Sequence, residues 1–301
     1  MPAKGLTEQQ VDLYRKEGYL VLASFFDDCV LREINTTIQQ MAQQALGSED
    51  QDKILELEPE LVNGQPVVRR LYNPYDNHET FRKLARDERL VDTVASVFGH
   101  DLNLQHSKIN LKPAKVGTVV EWHQDLAYLP HTNDDLMTVL IYLDDTTAEN
   151  SCLRVIPRHH THFFDHHTED GYFAGMITED VESGKFGQPV DCEGPAGSVV
   201  FMHANTPHSS LPNRSDKPRP TLIFEYRAAD SFPIQWNFNT GIPPELYRPI
   251  RGKRARFARF GGPKPYIPVL RESYTSIYNI QSQTKNSDAF RRLQLTPLGP
   301  A

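Results

Sequence analysis

The sequence is poor in cysteine and has no long apolar run. Three cysteines, Cys29, Cys152 and Cys192, occur in 301 residues, and no two of them form a C-x-x-C pair. So sparse and odd a count argues against a disulfide framework and favours a reducing compartment. The N-terminus lacks an apolar signal region, and no apolar run is long enough to cross a membrane. These absences predict a cytoplasmic protein without a membrane partner.

Positive charge is not in excess either. The chain carries 32 Lys and Arg against 39 Asp and Glu, which gives a formal charge of −7 at pH 7. A negative balance gives no general reason to expect a nucleic-acid partner. The hydrophobic content of 39% allows a sizeable core, and 301 residues are enough for one large domain or two small ones. Composition leaves the oligomeric state open.

The first hundred residues follow helical spacing. Helices are predicted to begin at Thr7, where a capping box is present, and at Asp28, with a third helical segment over 79–98. A short buried strand is predicted at 19–22. The acidic stretch 48–65 predicts a mobile loop or lid, with a solvated linker as the alternative.

From about residue 101, short runs rich in Val, Ile, Leu and Phe replace the helical spacing, with turn residues between most of them. Several short strands separated by turns favour a mainly β sandwich or barrel. A closed jelly roll, with the N-terminal helices packed on its outside, fits best. The predicted strands are 102–111, 117–123, 137–143, 152–156, 197–203 and 220–226.

We predict a single domain over residues 1–301. Its parts are a helical segment (about 1–100), a jelly-roll core (about 101–228) and a C-terminal part (about 229–301). The last part is rich in Pro, aromatic and basic residues, and its long loops are expected to cap the barrel mouth. The segments expected to determine substrate specificity are 48–65, 158–188 and 228–260.

A His-x-Asp pair, His123 and Asp125, follows one of the apolar runs. Side chains two apart in a strand share a face, so this pair could hold one metal ion. An Fe(II) that activates oxygen must keep coordination positions open, so the protein supplies only three ligands. His208 is the candidate for the third ligand, and His203 is its rival. Two histidines and one carboxylate make the facial triad of non-haem Fe(II) oxygenases.

Groups suited to a dicarboxylate lie close to His208 in the sequence. Arg219 carries a planar fork that can pair bidentately with a carboxylate. Ser210 is two residues after His208, so it could share that face and add a hydroxyl group. The alternative for Arg219 is an ordinary surface arginine.

These residues lie in longer segments that resemble the phytanoyl-CoA dioxygenase (PhyH) family. The resemblance covers roughly residues 7–227 and is nearest to small-metabolite hydroxylases such as ectoine hydroxylase. It implies an Fe(II)- and 2-oxoglutarate-dependent oxygenase on a double-stranded β-helix, the cupin-like jelly roll. The segments that carry the resemblance are Gln105–Pro113, Trp122–Asp125, Glu149–Pro157 and His208–Arg219.

Carried over by position, the resemblance implies that His123, Asp125 and His208 are the catalytic iron ligands. Arg219 and Ser210 would bind the distal carboxylate of 2-oxoglutarate. The implied reaction consumes O2 and 2-oxoglutarate, releases succinate and CO2, and hydroxylates an unactivated carbon of a small molecule, with ascorbate in support. Desaturation, ring closure and epoxidation use the same ligands and stay open.

The remaining candidate residues are weaker. The resemblance implies that Asn110 lies near the other carboxylate of 2-oxoglutarate and that Gln124 lies beside the pocket. His106 and Arg227 are candidate substrate contacts. Glu225 and Arg227 continue the strand alternation from Arg219, so both may face the barrel interior. The alternatives for them are a structural ion pair or a surface position at the strand end.

Several alternatives stay open at this point. The histidine run over 159–167 could be a second metal site, but a solvated loop is favoured. The basic stretch 251–259 could contact an anionic partner or be a solvated face. Asp125 argues against a halogenase, in which a small residue replaces the carboxylate. The rival functions are a cupin-like metal enzyme that does not use 2-oxoglutarate and a catalytically silent ligand-binding member.

Overall fold

The computed structural model describes most of the chain up to residue 234 and shorter parts after it. Of the predicted capping part, residues 235–247 and 288–301 lie outside the described residues, as does the turn residue Gly117. Within the part described, no helix is both long and apolar enough to span a bilayer. The described residues are 5–59, 61, 64–115, 118–234, 248–264, 268, 270 and 276–287.

The described part contains twelve strands and eight helices. The strands are β1 (Tyr19–Leu22), β2 (Leu55–Leu57), β3 (Val68–Tyr72), β4 (Leu102–Asn110), β5 (Val120–His123), β6 (Leu136–Tyr142), β7 (Leu153–Val155), β8 (Val190–Cys192), β9 (Val199–His203), β10 (His208–Ser210), β11 (Thr221–Ala228) and β12 (Pro249–Arg251). The helices are α1 (Glu8–Glu17), α2 (Asp28–Ala45), α3 (Gln51–Ile54), α4 (Pro74–Asn77), α5 (Glu79–Leu84), α6 (Glu88–Phe98), α7 (Asp125–Tyr128) and α8 (Ile277–Lys285).

The strands form two antiparallel sheets. The larger has the order β1-β9-β6-β11-β4-β3-β2, with β12 also paired to β4, and the smaller has the order β5-β10-β7-β8. Side chains from both sheets meet in one apolar cluster, which includes Leu140 and Ile223 from the larger sheet and Leu153 and Val155 from the smaller. Two antiparallel sheets packed face to face around such a cluster form the jelly roll that the sequence predicts.

The alternation of side chains along the larger sheet decides which core each residue enters. Val139 and Ile141 of β6 pack in the cluster that contains α2, α5 and α6, whereas Leu140 and Tyr142 face the smaller sheet. Successive side chains of a strand point to opposite faces. All seven residues of β6 are therefore buried, because helices cover one face of the strand and the second sheet covers the other.

The N-terminal helices largely follow the sequence prediction. Thr7 caps α1 in a capping box, and α1 ends at Gly18, whose φ of 82° suits a residue without a Cβ. The N-cap of α2 is Asp27, not Asp28, because the Asp27 carboxylate accepts the first free backbone N–H groups of the helix. The predicted helical segment 79–98 is divided into α5 and α6, since a second N-cap interrupts it.

The acidic stretch 48–65 is not the open loop predicted from its composition. It contains α3 and β2, and β2 pairs with β3, a strand that the sequence pattern left unassigned. β3 in turn pairs with β4, so that Arg70 lies opposite Asn110. The prediction of a mobile loop is therefore wrong for residues 51–57. The β2–β3 hairpin extends the larger sheet and brings a basic residue beside β4.

The C-terminal helix α8 packs against β5. Gln281 makes the connection, because its Oε1 accepts the backbone N–H of Glu121 at 3.1 Å and its Nε2 donates to the carbonyl oxygen of Gly175 at 2.7 Å. Ile277, the first residue of α8, lines a cavity between the two sheets. The described piece of the C-terminal part thus covers one side of that cavity.

Candidate active site

His123, Asp125 and His208 meet at one end of the smaller sheet. His123 is the last residue of β5 and His208 the first of β10, and the two are partners in the antiparallel register. Asp125 begins α7, immediately after β5. The Nε2 atoms of both histidines lie 3.7 Å from Oδ1 of Asp125, and one ligand atom from each of the three lies within 4.8 Å of the others. The rival residue His203 is not part of this group.

Hydrogen bonds orient both imidazoles toward the centre of the group. Nδ1 of His123 lies 2.8 Å from the carbonyl oxygen of Glu121, and Nδ1 of His208 lies 2.9 Å from that of Thr206. A carbonyl oxygen can only accept, so each Nδ1 carries the proton and donates it. Each Nε2 then presents a lone pair toward Asp125, which is the tautomer that binds a metal ion.

The charge state of the group suits a divalent cation. Burial first raises the pKa of Asp125, but the charge of His208 and the hydrogen bond with His123 outweigh burial and lower the pKa below its usual range. Burial, followed by the charge of His123, lowers the pKa of His208 to about 3. The positive charge of Lys108 adds to the lowering in both cases. Near neutral pH the group is therefore an ionised carboxylate with a neutral His208, which fits Fe(II).

A cavity of about 70 Å³ opens beside the three ligands. Its apolar walls come from both sheets and from α8. The apolar lining residues are Val120, Leu140, Leu153, Met202, Ile223 and Ile277. The polar and charged lining residues other than the three ligands are Arg70, Lys108, Asn110, Thr138, Ser209, Ser210 and Arg219.

Arg219 brings a buried cation to this cavity. The residue is only 6% exposed; its guanidinium donates to Oγ1 of Thr221 at 2.5 Å, while its Nε has no hydrogen-bond partner among the described atoms. Neighbouring Lys112 is engaged elsewhere, because its ammonium donates to the hydroxyl of Ser151 at 2.7 Å and to the carbonyl oxygen of Leu211. A buried donor without a partner points to an acceptor that binds there, and a carboxylate matches the guanidinium fork.

Asn110 lines the cavity next to an arginine that sequence reasoning missed. Oδ1 of Asn110 accepts the Nε–H of Arg70 at 3.0 Å. The guanidinium of Arg70 also lies over the ring of Tyr278 in α8, 5.0 Å from its centroid. The contact joins β3, β4 and α8 at the cavity wall. Arg70 was not among the predicted site residues, because the stretch that forms β3 shows no clear alternation of apolar and polar residues.

Three of the predicted site residues do not appear among the described residues that line the cavity. Gln124 is fully buried and donates from Nε2 to the carbonyl oxygens of His162, at 2.7 Å, and Asn205, at 2.6 Å. Arg227 is likewise fully buried, and its Nε donates to Oε1 of Gln105 at 3.0 Å. The half-buried His106 lies on the same face of β4 as Lys108 and Asn110, and its Nδ1 lies 3.9 Å from Oε1 of Glu225.

The histidine run over 159–167 is only partly the solvated loop that was favoured, since His162 is exposed whereas His160 and His166 are buried. No residue of the run belongs to a described group of potential metal ligands, and His166 is 0% exposed. Nε2 of His166 accepts the backbone N–H of Gln124 at 3.0 Å, and its Nδ1 donates to the carbonyl oxygen of Phe164 at 2.8 Å. The run therefore holds the backbone of Gln124, which lies between the predicted iron ligands His123 and Asp125.

The basic stretch 251–259 is partly balanced by acidic neighbours. Arg251 pairs with Asp92 at 2.6 Å, and Arg259 pairs with Asp230 at 2.9 Å. At both ends of the stretch, these ion pairs agree with the alternative of a solvated face balanced by acidic neighbours.

Two further cavity residues were missed, and one of them had a signal in the sequence. Lys108 lies between His106 and Asn110 at a spacing of two, so the alternation along β4 already placed it on their face. Thr138 had no such signal, because β6 is an unbroken apolar run apart from this residue. Its hydroxyl donates to Oδ2 of Asp125 at 2.7 Å.

Comparison with known proteins agrees with this geometry. The phytanoyl-CoA dioxygenase (PhyH) family matches residues 14–221. A protein of Stutzerimonas stutzeri, named probable alpha-ketoglutarate-dependent hypophosphite dioxygenase, is 34% identical over 257 residues, which cover 84% of this chain and 88% of that protein. The ectoine dioxygenase of Stutzerimonas stutzeri strain A1501 is 25% identical over 245 residues, which cover 75% of this chain and 78% of that protein.

Crystal structures of EctD from S. alaskensis share the fold. The structure with bound Fe has a TM-score of 0.65 at 20% identity and covers 90% of both chains. The structure with 2-oxoglutarate and 5-hydroxyectoine has a TM-score of 0.65 at 20% identity and covers 87% of this chain and 90% of that one. The predicted double-stranded β-helix and the predicted family are thereby confirmed. The chain belongs to the phytanoyl-CoA dioxygenase family and is an Fe(II)- and 2-oxoglutarate-dependent oxygenase.

Proposed function

We propose that the cavity is the active site, and that this oxygenase hydroxylates an unactivated carbon of a small polar metabolite there. His123, Asp125 and His208 would hold the ferrous ion. The observation that carries the proposal is the convergence of their ligand atoms within 4.8 Å. The imidazole tautomers are those a metal requires, and the three protein ligands leave coordination positions open for the co-substrate and O2.

Arg219 and Ser210 would bind the distal carboxylate of 2-oxoglutarate. The buried guanidinium of Arg219 has an unpartnered Nε among the described atoms, and Ser210 lines the same cavity. Asn110 would lie near the other end of the co-substrate, with Arg70 holding its side-chain oxygen. These residues bind and orient the co-substrate, while the bound iron and 2-oxoglutarate together supply the activation of dioxygen.

The apolar walls contribute by excluding water. Leu140, Leu153, Met202 and Ile223 surround the cavity beside the ligands. A dry, preorganised cavity strengthens every electrostatic contact within it and protects a reactive centre from side reactions.

We propose that the substrate is a small molecule. The relatives named above, for hypophosphite and for ectoine, also act on small compounds by their names. We further propose that the enzyme works in the cytoplasm without nucleic-acid or membrane partners. Its three cysteines are free thiols, which agrees with a reducing compartment.

The proposal is tested by adding 2-oxoglutarate to the Fe(II) protein without oxygen and recording the visible charge-transfer band. We expect a saturable band in the unaltered protein and none in His208→Ala. Arg219→Ala should raise the half-saturating 2-oxoglutarate concentration by roughly 30-fold or more, since a buried carboxylate loses a partner at a cost of about 2–4 kcal/mol. Arg214→Ala, which alters an exposed arginine five residues earlier, is the matched control.

Each rival function predicts a different result. A metal enzyme that does not use 2-oxoglutarate would bind Fe(II) and give no band. A catalytically silent member would give the band, yet succinate release would not rise with any compound of a metabolite screen. An unchanged 2-oxoglutarate requirement in Arg219→Ala would remove that residue from the co-substrate site.

A further inference from the structure

The cavity holds more positive charge than iron and 2-oxoglutarate require. Arg70, Lys108 and Arg219 line it. Two buried carboxylates oppose them, Asp125 among the iron ligands and Glu225 behind Lys108, the latter only 3% exposed. A ferrous ion and the 2-oxoglutarate dianion cancel each other. With both bound, one positive charge is therefore left without a counter-charge among the described residues.

The Lys108 ammonium and the Arg219 guanidinium contact different levels of β11. Thr221 accepts from Arg219, and Glu225 pairs with Lys108 at 3.3 Å. These two β11 residues are four positions apart, which is about 13 Å along a strand. Glu225 lies opposite Thr138 in the register of β11 and β6, and the Thr138 hydroxyl donates to the carboxylate of the iron-binding group. The backbone of Lys108 pairs with Ile223, but its ammonium reaches Glu225 and therefore lies at the level beside the iron site.

Lys108 and Arg70 both have donors to spare, although Arg70 lies at the level of Thr221, since Arg70 and Thr221 both pair with Asn110. An ammonium has three N–H donors, and the hydrogen bond from Lys108 to Glu225 is the one found among the described residues. Arg70 uses its Nε for Asn110, and no described carboxylate lies within ion-pair distance of its guanidinium. Charge removed from water without a full set of partners is costly, so an anion that enters the cavity is stabilised there.

We propose that the substrate of this oxygenase is a small anion whose charged group binds Lys108 beside the iron ligands. This inference rests on the proposed function, since it assigns to 2-oxoglutarate the separate level of Arg219. The chemical class is a compact oxyanion, either a carboxylate or a phosphorus oxyanion. Binding through Lys108 holds the rest of the molecule toward His123 and His208.

The test uses three probes of one shape and different charge: propionate, propionamide and n-propylammonium. Each is added without oxygen to the Fe(II) protein saturated with 2-oxoglutarate, and the shift of the visible band is titrated at constant ionic strength. We expect propionate to bind about tenfold or more tightly than propionamide, and n-propylammonium to give no shift. Equal binding of propionamide or n-propylammonium, or no response to propionate, overturns the inference.

Three variants test whether the Lys108 ammonium is the positive charge that binds propionate. Lys108→Met should weaken propionate binding about tenfold or more, and Lys108→Arg should retain most of it. Glu225→Gln removes the counter-charge of Lys108 and should leave propionate binding unchanged or strengthen it. Lys115→Met, at an ammonium whose side chain is 67% exposed, is the matched control and should behave like the unaltered protein.

The readouts separate this inference from the function on which it rests. A missing 2-oxoglutarate band in the unaltered protein would overturn the proposed function and this inference with it. A normal band with propionate binding that survives Lys108→Met would overturn the inference alone. A raised 2-oxoglutarate requirement in Lys108→Met would place Lys108 at the co-substrate and also overturn it. Equal loss in Glu225→Gln and Lys108→Met would show that the pair only maintains structure.

Discussion

Thr138 offers the sharpest test of how the chain holds its metal, because one hydroxyl can be removed at nearly constant volume. Thr138 is 3% exposed, and its Oγ1 donates to Oδ2 of Asp125 at 2.7 Å. That hydrogen bond leaves Oδ1 facing the two Nε2 atoms at 3.7 Å. Thr138→Val removes the donor and keeps the shape of the side chain, so the carboxylate loses its orientation and one hydrogen bond.

Two magnitudes bound the expected effect. A buried acceptor that loses its partner costs about 1–3 kcal/mol. Loss of a group that orients a metal ligand typically weakens metal binding by roughly 10–100-fold, which corresponds to about 1.4–2.8 kcal/mol. The two ranges agree, so we expect the Fe(II) dissociation constant of Thr138→Val to rise about 10–100-fold, with little change in 2-oxoglutarate binding at saturating iron.

The measurement is an anaerobic Fe(II) titration of the apoprotein, repeated with Co(II), whose visible absorption reports the ligand geometry. Thr93→Val is the matched control, since Thr93 is also 3% exposed and its hydroxyl donates to the Arg89 carbonyl oxygen at 2.8 Å inside α6. An unchanged dissociation constant in Thr138→Val would refute the reasoning. An equal rise in Thr93→Val would show that the effect comes from general destabilisation.

Two further predictions concern stability. Burial lowers the pKa of His166 to about 3 from an ordinary 6.5, so the unfolded chain binds a proton below pH 6.5 that the folded protein excludes, and the free energy of unfolding falls as the pH is lowered. In urea unfolding of the apoprotein, His166→Gln should be less stable at pH 7 but should lose about 1.4 kcal/mol less per pH unit below about pH 6; parallel slopes would contradict this. Arg227→Met removes the donor to Gln105 and should lower the free energy of unfolding by about 1–3 kcal/mol. If Arg227 only maintains structure, 2-oxoglutarate binding and propionate binding stay normal in the folded variant, whereas a selective loss of propionate binding would restore its predicted role as a substrate contact.

Much of the barrel could be predicted from local pattern. The six strands predicted between residues 102 and 226 all occur, because alternation and turn residues are local properties of the chain. The predicted strands did not include β2, β3, β8, β10 and β12, since each is three to five residues long and lacks a clear period. Their existence depends on pairing with neighbours that lie far away in sequence.

His123 and Asp125 are neighbours, as predicted, but they do not share a strand. The prediction placed both in one strand, whereas β5 ends at His123 and Asp125 begins α7. Gln124 between them points away and binds the backbone of the histidine run. A continuous strand and a strand followed by a helix both place these two side chains on the same side. The spacing of two residues was therefore informative.

By itself, the amino-acid sequence determined which side chains were available for iron and co-substrate, and that a short spacing joins two of them. These are matters of side-chain chemistry and of adjacent residues. Only the tertiary structure decided that Arg70, Lys108 and Thr138 converge on the same cavity, and that Gln124 and Arg227 do not line it. The physical reason is register: hydrogen bonds between distant strands choose which residues face one another, and no local stretch of the chain encodes that choice.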